Sequence, residues 1–158
     1  MRLFELANTK GSYAAVEFDA DTVKALEAYQ YDNNIPNPLN ADEFHSTVMF
    51  SRKYIPDYEG LGEIPEWKGT FTKFDVFPSD DDRALVLKYE CSELTDRFHE
   101  IMSTYGATYD WDKYQPHITL SYNIDDLDIS HLPPYEGPIV IVRDYNNDLD
   151  LEWQNQHK

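Results

Sequence analysis

Cysteine is almost absent from this sequence, with Cys91 the one example among 158 residues. A single thiol permits no internal disulfide and no metal site built from several cysteines. Long apolar runs are absent too, since none approaches the roughly 18 residues that cross a bilayer. The N-terminal stretch MRLFELANTKGS places an acid inside a short apolar run and lacks the core of a signal peptide. We therefore expect a cytosolic protein that has no membrane partner.

Basic residues are scarce, with 13 against 30 acidic residues, and the formal net charge is −17. The blocks SDDDR (79–83), NIDDLDIS (123–130) and NNDLDLEW (146–153) supply much of this charge. A long polyanion binds by releasing counterions to lysine and arginine contacts, and an acidic surface repels it. We therefore expect no long nucleic acid as partner and only a small phosphate-bearing ligand. Solubility explains the acidity equally well.

Several catalytic and metal-binding motifs are missing. The sequence contains no Gly-rich phosphate loop, no G-x-S-x-G elbow, and no HExxH or paired-cysteine pattern. A zinc site on His45 and His117 would need a third ligand at suitable spacing, which the sequence does not supply. We therefore expect neither a metal nor another cofactor.

The apolar fraction of 41% is ample for a globular fold, in a length that suits one domain or two small lobes sharing a core. In the first half, SYAAVEF (12–18) predicts a strand, and residues 19–34 predict a helix with an aspartate cap. A loop rich in proline and asparagine (33–43) leads into FHSTVMFSRKY (44–54), a strand by its branched and aromatic content. Residues 55–69, punctuated by proline and glycine, predict a second loop.

The second half repeats this order, with a hairpin, a helix that Gly106 ends, a loop and a strand. This weak repeat of elements indicates an α+β fold with mostly antiparallel sheet. We expect residues 1–158 to form a single domain. The predicted elements are the hairpin strands 70–78 and 83–90, the helix 92–106, the loop 107–116, the strand 117–123, and two closing strands at 138–146 and 149–153.

Two of the predicted strands carry the same short pattern. EFHSTVMF (43–50) places His45 two residues before Thr47, and QPHITLSY (115–122) places His117 two residues before Thr119. Side chains at i and i+2 of a strand share a face, so each histidine points the same way as its threonine. If the two strands lie side by side or face each other, both pairs converge on one cleft. Alternatively, both histidines are structural and bond to nearby backbone.

A cleft with two imidazoles and two hydroxyls suits phosphodiester cleavage without a metal. One histidine takes a proton from the nucleophile, a ribose 2′-hydroxyl or a water, and the other protonates the leaving oxygen. The threonine hydroxyls hold the non-bridging phosphate oxygens as negative charge builds on them. The sequence does not say which histidine is the base and which the acid.

The pair HSTV and HITL resembles the twin H-x-[ST]-x motif of the 2H phosphoesterase superfamily. Within it, GSYAAVEFD, FHSTVMFSRKY and YQPHITLSY are similar to the anti-CBASS cyclic-nucleotide phosphodiesterases of T4-like phages. The resemblance covers nearly the whole chain. It implies a bilobal fold, in which two pseudo-symmetric lobes of mostly antiparallel sheet carry helices outside and enclose a central cleft.

The resemblance also implies an activity and roles for individual residues. The implied enzyme uses no metal and cleaves 3′–5′ linkages of cyclic di- and trinucleotide immune signals, with help from the neighbouring 2′-hydroxyl, in the cytoplasm of the infected bacterial host. His45 and His117 become the acid–base pair, and Thr47 and Thr119 become the hydroxyls that hold the phosphate. Tyr13 becomes a substrate contact in the first strand.

A C-terminal lid is a further implication of the resemblance. Trp153 becomes the aromatic residue that closes over a base. An acidic lid residue is also implied, and Asp144, Asp148 and Glu152 are the candidates.

Aromatic residues make up 15% of the chain and most are expected in the core, but some can stack on bases. Trp111, Tyr114 and Tyr122 flank the second motif, so we expect these three near the cleft.

Two other functions remain open. The same fold could act on RNA ends, such as a 2′,3′-cyclic phosphate or a 2′–5′ linkage, although the scarcity of basic residues argues against it. The protein could instead sequester cyclic nucleotides without cutting them, although two complete H-x-T motifs argue against that.

Overall fold

The computed structural model describes residues 10–79, 82–111 and 113–150. Seven strands in two antiparallel sheets and two α-helices account for most of this part. The strands are β1 (Lys10–Phe18), β2 (Ser46–Ser51), β3 (Glu63–Lys68), β4 (Thr70–Ser79), β5 (Asp82–Glu90), β6 (His117–Ser121) and β7 (Val140–Asp150). The helices are α1 (Ala20–Asp32) and α2 (Ser92–Tyr105), with 3-10 helices at Ala41–Glu43 and Ile129–His131.

The first sheet has the strand order β2–β1–β7–β3, with β1 paired on both sides. Ala15 of β1 lies opposite Thr47 of β2, and Tyr13 lies opposite Phe50, with a shift of register between the two pairs. Tyr13 is therefore two residues from the partner of Thr47 and on the same face, within reach of an aromatic side chain. The sheet thus brings Tyr13 to the first His-Thr motif.

The second sheet has the order β4–β5–β6, and β4 and β5 form the predicted hairpin. Leu85, Leu87 and Tyr89 of β5 are fully buried and alternate along the strand, so one face of β5 points into the core. Lys88 points the other way and lies opposite His117 of β6. The face of the sheet that carries the second His-Thr motif is therefore turned away from the core.

Helix α1 follows the first sheet along the chain but packs on the second. The carboxylate of Asp19 caps it by accepting the Thr22 backbone N–H at 2.8 Å, as the sequence predicted. The Tyr29 ring packs on Phe74 of β4 at 5.1 Å between centroids, and Gln30 Nε2 donates to the Leu120 carbonyl of β6 at 2.9 Å.

Helix α2 follows the second sheet and contacts β2 of the first. Its buried side chains include Leu94, Phe98 and Ile101, which lie three to four residues apart and form one apolar stripe. It ends at Gly106, whose φ of 68° is a left-handed conformation that glycine adopts without a steric cost. The crossed placement of the two helices ties the halves of the molecule together.

A continuous hydrophobic cluster also joins the two sheets. It contains Ala14 and Val16 of β1 and Leu87 of β5. The rings of Phe18 and Tyr89 meet edge to face, with centroids 6.4 Å apart, where the first sheet meets the second. The α+β fold with mostly antiparallel sheet is confirmed, and every strand pair among the described residues is antiparallel.

Two predicted elements are wrong in their extent. The loop expected over 55–69 contains β3, although Pro65 cannot donate to a ladder. Proline is tolerated there because β3 is at the edge of its sheet and its register shifts between Glu63 and Trp67. The two closing strands expected at 138–146 and 149–153 are one strand up to residue 150, since β1 pairs with β7 throughout that length. Residues 151–153 lie outside the described residues.

Candidate active site

The two His-Thr motifs lie on adjoining strands of different sheets. Ser46, next to His45, donates its hydroxyl to the carbonyl of His117 at 2.7 Å. The buried Tyr89 hydroxyl donates to Ser46 Oγ, also at 2.7 Å. This hydroxyl bridge holds β2 and β6 together, and it brings both histidines to the line where the sheets meet.

Both imidazoles are anchored in the same way. His45 Nδ1 lies 2.8 Å from the Glu43 carbonyl, and His117 Nδ1 lies 3.0 Å from the Gln115 carbonyl. A carbonyl only accepts, so Nδ1 carries the proton in each ring and donates it two residues back along the chain. In the described part of the chain, Nε2 of neither ring has a hydrogen-bond partner. The bonds to nearby backbone therefore occupy one nitrogen of each ring and leave the other for a ligand.

Thr47 is the centre of a second set of contacts. Its Oγ1 lies 3.1 Å from the Tyr13 hydroxyl, and its carbonyl accepts the Tyr114 hydroxyl at 2.7 Å. Burial raises the pKa of the Tyr13 phenol, which therefore keeps its proton at neutral pH and can donate it. The Tyr13 ring also lies edge-on to His45, with centroids 6.4 Å apart.

Thr119 has different surroundings from Thr47. It follows His117 by two residues on β6 and lies opposite Val86 in the register, half-buried. Ile118 between them is fully buried on the core side, so Thr119 shares the outward face with His117. The two motifs are therefore alike in the anchoring of their histidines but not in the contacts of their threonines.

A cavity of about 700 Å³ opens beside the motifs. Thr47 and His117 line it, whereas His45 and Thr119 do not. Aromatic rings form much of its wall, and Trp111 meets Phe50 at 5.4 Å and Tyr109 at 5.2 Å between centroids. The remaining lining residues are Phe77, Pro78, Lys88, Lys113, Tyr114 and Gln115.

Of the aromatic residues expected near the cleft, Trp111 and Tyr114 line this cavity. Tyr114 is fixed by stacking on Phe98 of α2, with ring centroids 4.2 Å apart and planes within 5°. Tyr122 is 59% exposed and is not among the lining residues.

The sequence did not indicate Lys88 as a site residue. A signal was present, because Lys88 interrupts an apolar strand on the face opposite Leu87 and Tyr89. Its place opposite His117 depends on the pairing of β5 with β6, which a single sequence does not reveal.

The pKa of His117 lies below its ordinary value. Burial is the largest cause, since it disfavours the charged ring, and the neighbouring His45 and Lys88 act in the same direction. The bond to the Gln115 carbonyl opposes them. His117 is therefore neutral at pH 7, and its Nε2 is free to accept a proton.

Of the implied lid residues, Asp144 is engaged elsewhere. Its buried carboxylate accepts the backbone N–H groups of Leu61 at 2.8 Å and Gly62 at 2.6 Å, and the Tyr58 hydroxyl at 3.3 Å. Asp144 therefore anchors the loop before β3. The side chain of Asp148, and all of Glu152 and Trp153, lie outside the described residues.

No group of three or more histidine, cysteine or acidic side chains in the described ranges is arranged to hold a metal ion. Neither α1 nor α2 has the length and apolar character of a membrane span, and the same is true of every helix among the residues described.

Solved structures define the class of fold. Escherichia coli LigT complexed with 3′-AMP matches 89% of this chain and 95% of LigT, with a TM-score of 0.56 at 16% identity. A structure described as a phosphoesterase matches 87% of each chain, with a TM-score of 0.56 at 14% identity. The fold is that of the 2H phosphoesterases, as the two motifs predicted.

Sequence relatives narrow the class to one family. The family model described as anti-CBASS protein Acb1 matches residues 10–156. Anti-CBASS protein Acb1 of Acinetobacter phage Ac42 is 39% identical over 145 residues, which cover 92% of this chain and 95% of that protein. The corresponding protein of Enterobacteria phage T4 is 34% identical over 148 residues, 94% of each. The chain belongs to the anti-CBASS protein Acb1 family, which confirms the family that its motifs indicated.

Proposed function

We propose that this protein is a metal-independent phosphodiesterase that cleaves 3′–5′ linkages in cyclic di- and trinucleotide immune signals. Its family and fold support this function. The observation that carries the proposal is the pair of imidazoles on adjoining strands, each held through Nδ1 by a backbone carbonyl. Acting in the cytoplasm of an infected bacterium, the enzyme removes the signal on which CBASS defence depends.

In the proposed reaction, His117 is the base and His45 the acid. The lowered pKa of His117 keeps its Nε2 unprotonated near neutral pH, as a base requires. It takes the proton of the ribose 2′-hydroxyl, whose oxygen bonds to phosphorus while the bond from phosphorus to the 5′-oxygen breaks. His45 gives a proton to that 5′-oxygen. The product is a linear nucleotide that ends in a 2′,3′-cyclic phosphate.

Hydroxyl groups stabilise the charge that builds on the phosphate oxygens. Thr47 and Thr119 donate to the non-bridging oxygens, and preorganised donors of this kind lower the barrier because they are already aligned. The contact of Tyr13 with Thr47 Oγ1 fixes the direction of that hydroxyl and places a second donor beside it. Trp153 completes the proposed substrate contacts from the C-terminal segment.

The cavity suits a small nucleotide. Its volume of about 700 Å³ is within the usual range for small-molecule sites, and its aromatic wall offers faces on which bases of any identity stack. The net charge of −17 disfavours binding of long RNA. A cyclic nucleotide with two or three phosphates can still bind, because none of the described residues that line the cavity is acidic. Cyclic oligonucleotides therefore suit the site better than RNA ends.

The proposal is tested by incubation in EDTA with a cyclic dinucleotide and, separately, with RNA ending in a 2′,3′-cyclic phosphate or carrying a 2′–5′ linkage. We expect the cyclic dinucleotide to open and the RNA to stay intact. Turnover of the RNA with an inert cyclic dinucleotide would overturn the choice of substrate. Ligand recovered unchanged after heating the complex would support the sequestering function instead.

Histidine variants test the mechanism in the same assay. His45→Ala and His117→Ala should each lower kcat at least about 100-fold if the rings act as acid and base. His131→Ala is the matched control, because His131 is an exposed residue of a 3-10 helix outside the cavity. If neither motif variant slows turnover, the two-histidine mechanism is wrong.

A further inference from the structure

The second sheet places three basic side chains in one row. Lys73 of β4 lies opposite Lys88 of β5, and Lys88 lies opposite His117 of β6. Opposing residues on antiparallel strands share a face, with Cβ atoms about 4.5–5.5 Å apart, and like charges there destabilise the pairing. The carboxylate that balances this row is Asp75, two residues after Lys73 on β4 and 2.7 Å from the Lys88 ammonium. A ligand phosphate that took the place of the Asp75 carboxylate would meet the same basic row.

The cavity has the same bias of charge. Among the described residues that line it, Lys88 and Lys113 are cationic and none is acidic. This local excess of positive charge occurs in a protein of net charge −17. The Lys88 ammonium lies 5.5 Å from the centroid of the Phe77 ring, which is itself 5.2 Å from the His117 ring. Lys88 is therefore close to the base of the proposed reaction.

Lys88 is paired with a carboxylate that can be displaced. Its Nζ lies 2.7 Å from Asp75 Oδ2, and the side chain of Lys88 is 17% exposed whereas that of Asp75 is 39% exposed. A phosphate that takes the ammonium therefore returns the more exposed partner to water. Lys73 also faces Asp75 and continues to stabilise its charge. Exchange of the Asp75 carboxylate for a phosphate thus leaves no buried charge unpaired.

We propose that Lys88 binds the second, non-reacting phosphate of a cyclic oligonucleotide and exchanges Asp75 for it. This inference rests on the proposed function, because His117 is taken to act at the reacting phosphate. Lys88 is the basic side chain next to His117 in the row, and it binds the phosphate next to the reacting one in the cyclic nucleotide. Lys88 thereby favours substrates with at least two phosphates over nucleotides with a single linkage.

The test measures binding by calorimetry, apart from any chemistry. One ligand is a phosphorothioate cyclic dinucleotide, and the other is a dinucleoside monophosphate with one 3′–5′ linkage and a 2′-O-methyl group that blocks attack. Lys88→Gln should weaken binding of the cyclic ligand at least about tenfold and that of the single-phosphate ligand less than about twofold. Asp75→Asn should strengthen binding of the cyclic ligand, since it frees the ammonium.

Controls separate this role from a structural one. Lys24→Gln on the exposed side of α1 removes the same charge far from the row and should change neither affinity. A merely structural ion pair predicts that Lys88→Gln and Asp75→Asn both lower the Tm and alter the two affinities equally, which would overturn the inference. So would binding of the cyclic ligand that does not depend on Lys88, or no binding to the natural protein.

Turnover of a hydrolysable cyclic dinucleotide by the natural protein reports on the proposed function separately. Lys88-dependent binding without turnover would support the role of Lys88 and contradict the enzymatic function.

Discussion

At the scale of single residues, the main feature of the site is the way in which the rings of His45 and His117 are held. Each Nδ1 donates to a carbonyl two residues earlier, so both tautomers are set by local backbone. Pattern alone could predict the pairing of histidine with threonine, because i and i+2 share a face of any strand. It could not predict that Thr47 contacts Tyr13 while Thr119 lies opposite Val86, since these contacts depend on strands distant in the chain.

Removal of the Tyr13 hydroxyl tests its contact with Thr47. Tyr13→Phe keeps the ring and loses the hydroxyl that lies 3.1 Å from Thr47 Oγ1. We expect kcat for a cyclic dinucleotide to fall about five- to tenfold, the effect of a hydrogen bond worth about 1 kcal/mol. Tyr31→Phe is the control, because Tyr31 is 84% exposed on α1. Equal rates in the two variants would show that the hydroxyl is not used.

In the proposed mechanism, the pH dependence of the reaction follows from His117, the base. A base is active in its neutral form, and burial together with nearby positive charges lowers the pKa of this ring from 6.5. Activity on the acid side should therefore persist below pH 6.5 and fall only as His117 takes up a proton. A profile of kcat/KM against pH measures this midpoint in the free enzyme. A midpoint at or above 6.5 would assign the base to another group.

At the scale of elements, local sequence patterns predict most helices and strands, but they do not predict which strands pair. The sequence predicts helix α2 from its apolar stripe and from Gly106, and strand β4 from its alternation of polar and aromatic residues. Strand β3 was not predicted because it contains Pro65. Proline indicates a loop unless the strand is known to lie at the edge of its sheet. The alignment of Lys73, Lys88 and His117 in one row depends on the register of β4, β5 and β6. This register is known only from the folded sheet.

Asp144 anchors the loop before β3, and its removal should affect stability more than catalysis. Asp144→Ala leaves the buried N–H groups of Leu61 and Gly62 without their acceptor. We expect the free energy of unfolding in urea to fall by about 3 kcal/mol, with the rate per folded molecule nearly unchanged.

Asp126→Ala, which removes an exposed acid from a loop, is the matched control for this measurement. Lost turnover with unchanged stability would instead make Asp144 the acidic lid residue.

At the scale of the whole molecule, charge is the basis for the expected size of the partner. The overall charge of −17 repels a chain of many phosphates, while the lysines of the cavity attract a few. The exclusion of long nucleic acid follows from composition alone, since net charge is a total, whereas the place of the cavity lysines depends on the fold; the size of the partner stays a prediction. That residues 1–158 form a single domain stays a prediction.

Binding of single-stranded RNA tests the charge argument. A 30-nucleotide poly(U) should not bind in a filter assay at 50 mM salt with protein up to about 0.1 mM, although low salt favours counterion release most. A dissociation constant in the micromolar range would contradict the exclusion of long nucleic acid.

The bridge from Tyr89 through Ser46 to the His117 carbonyl also limits how this molecule moves. Separation of the two halves would strip the buried hydroxyl and the carbonyl of their partners, at about 1–3 kcal/mol for each. The bridge therefore opposes separation of β2 from β6, and in the proposed reaction it keeps the spacing of the two histidines constant. Trp111, a lining residue of the cavity that is 55% exposed, takes no part in this bridge, so a movement of its side chain would leave the bridge intact.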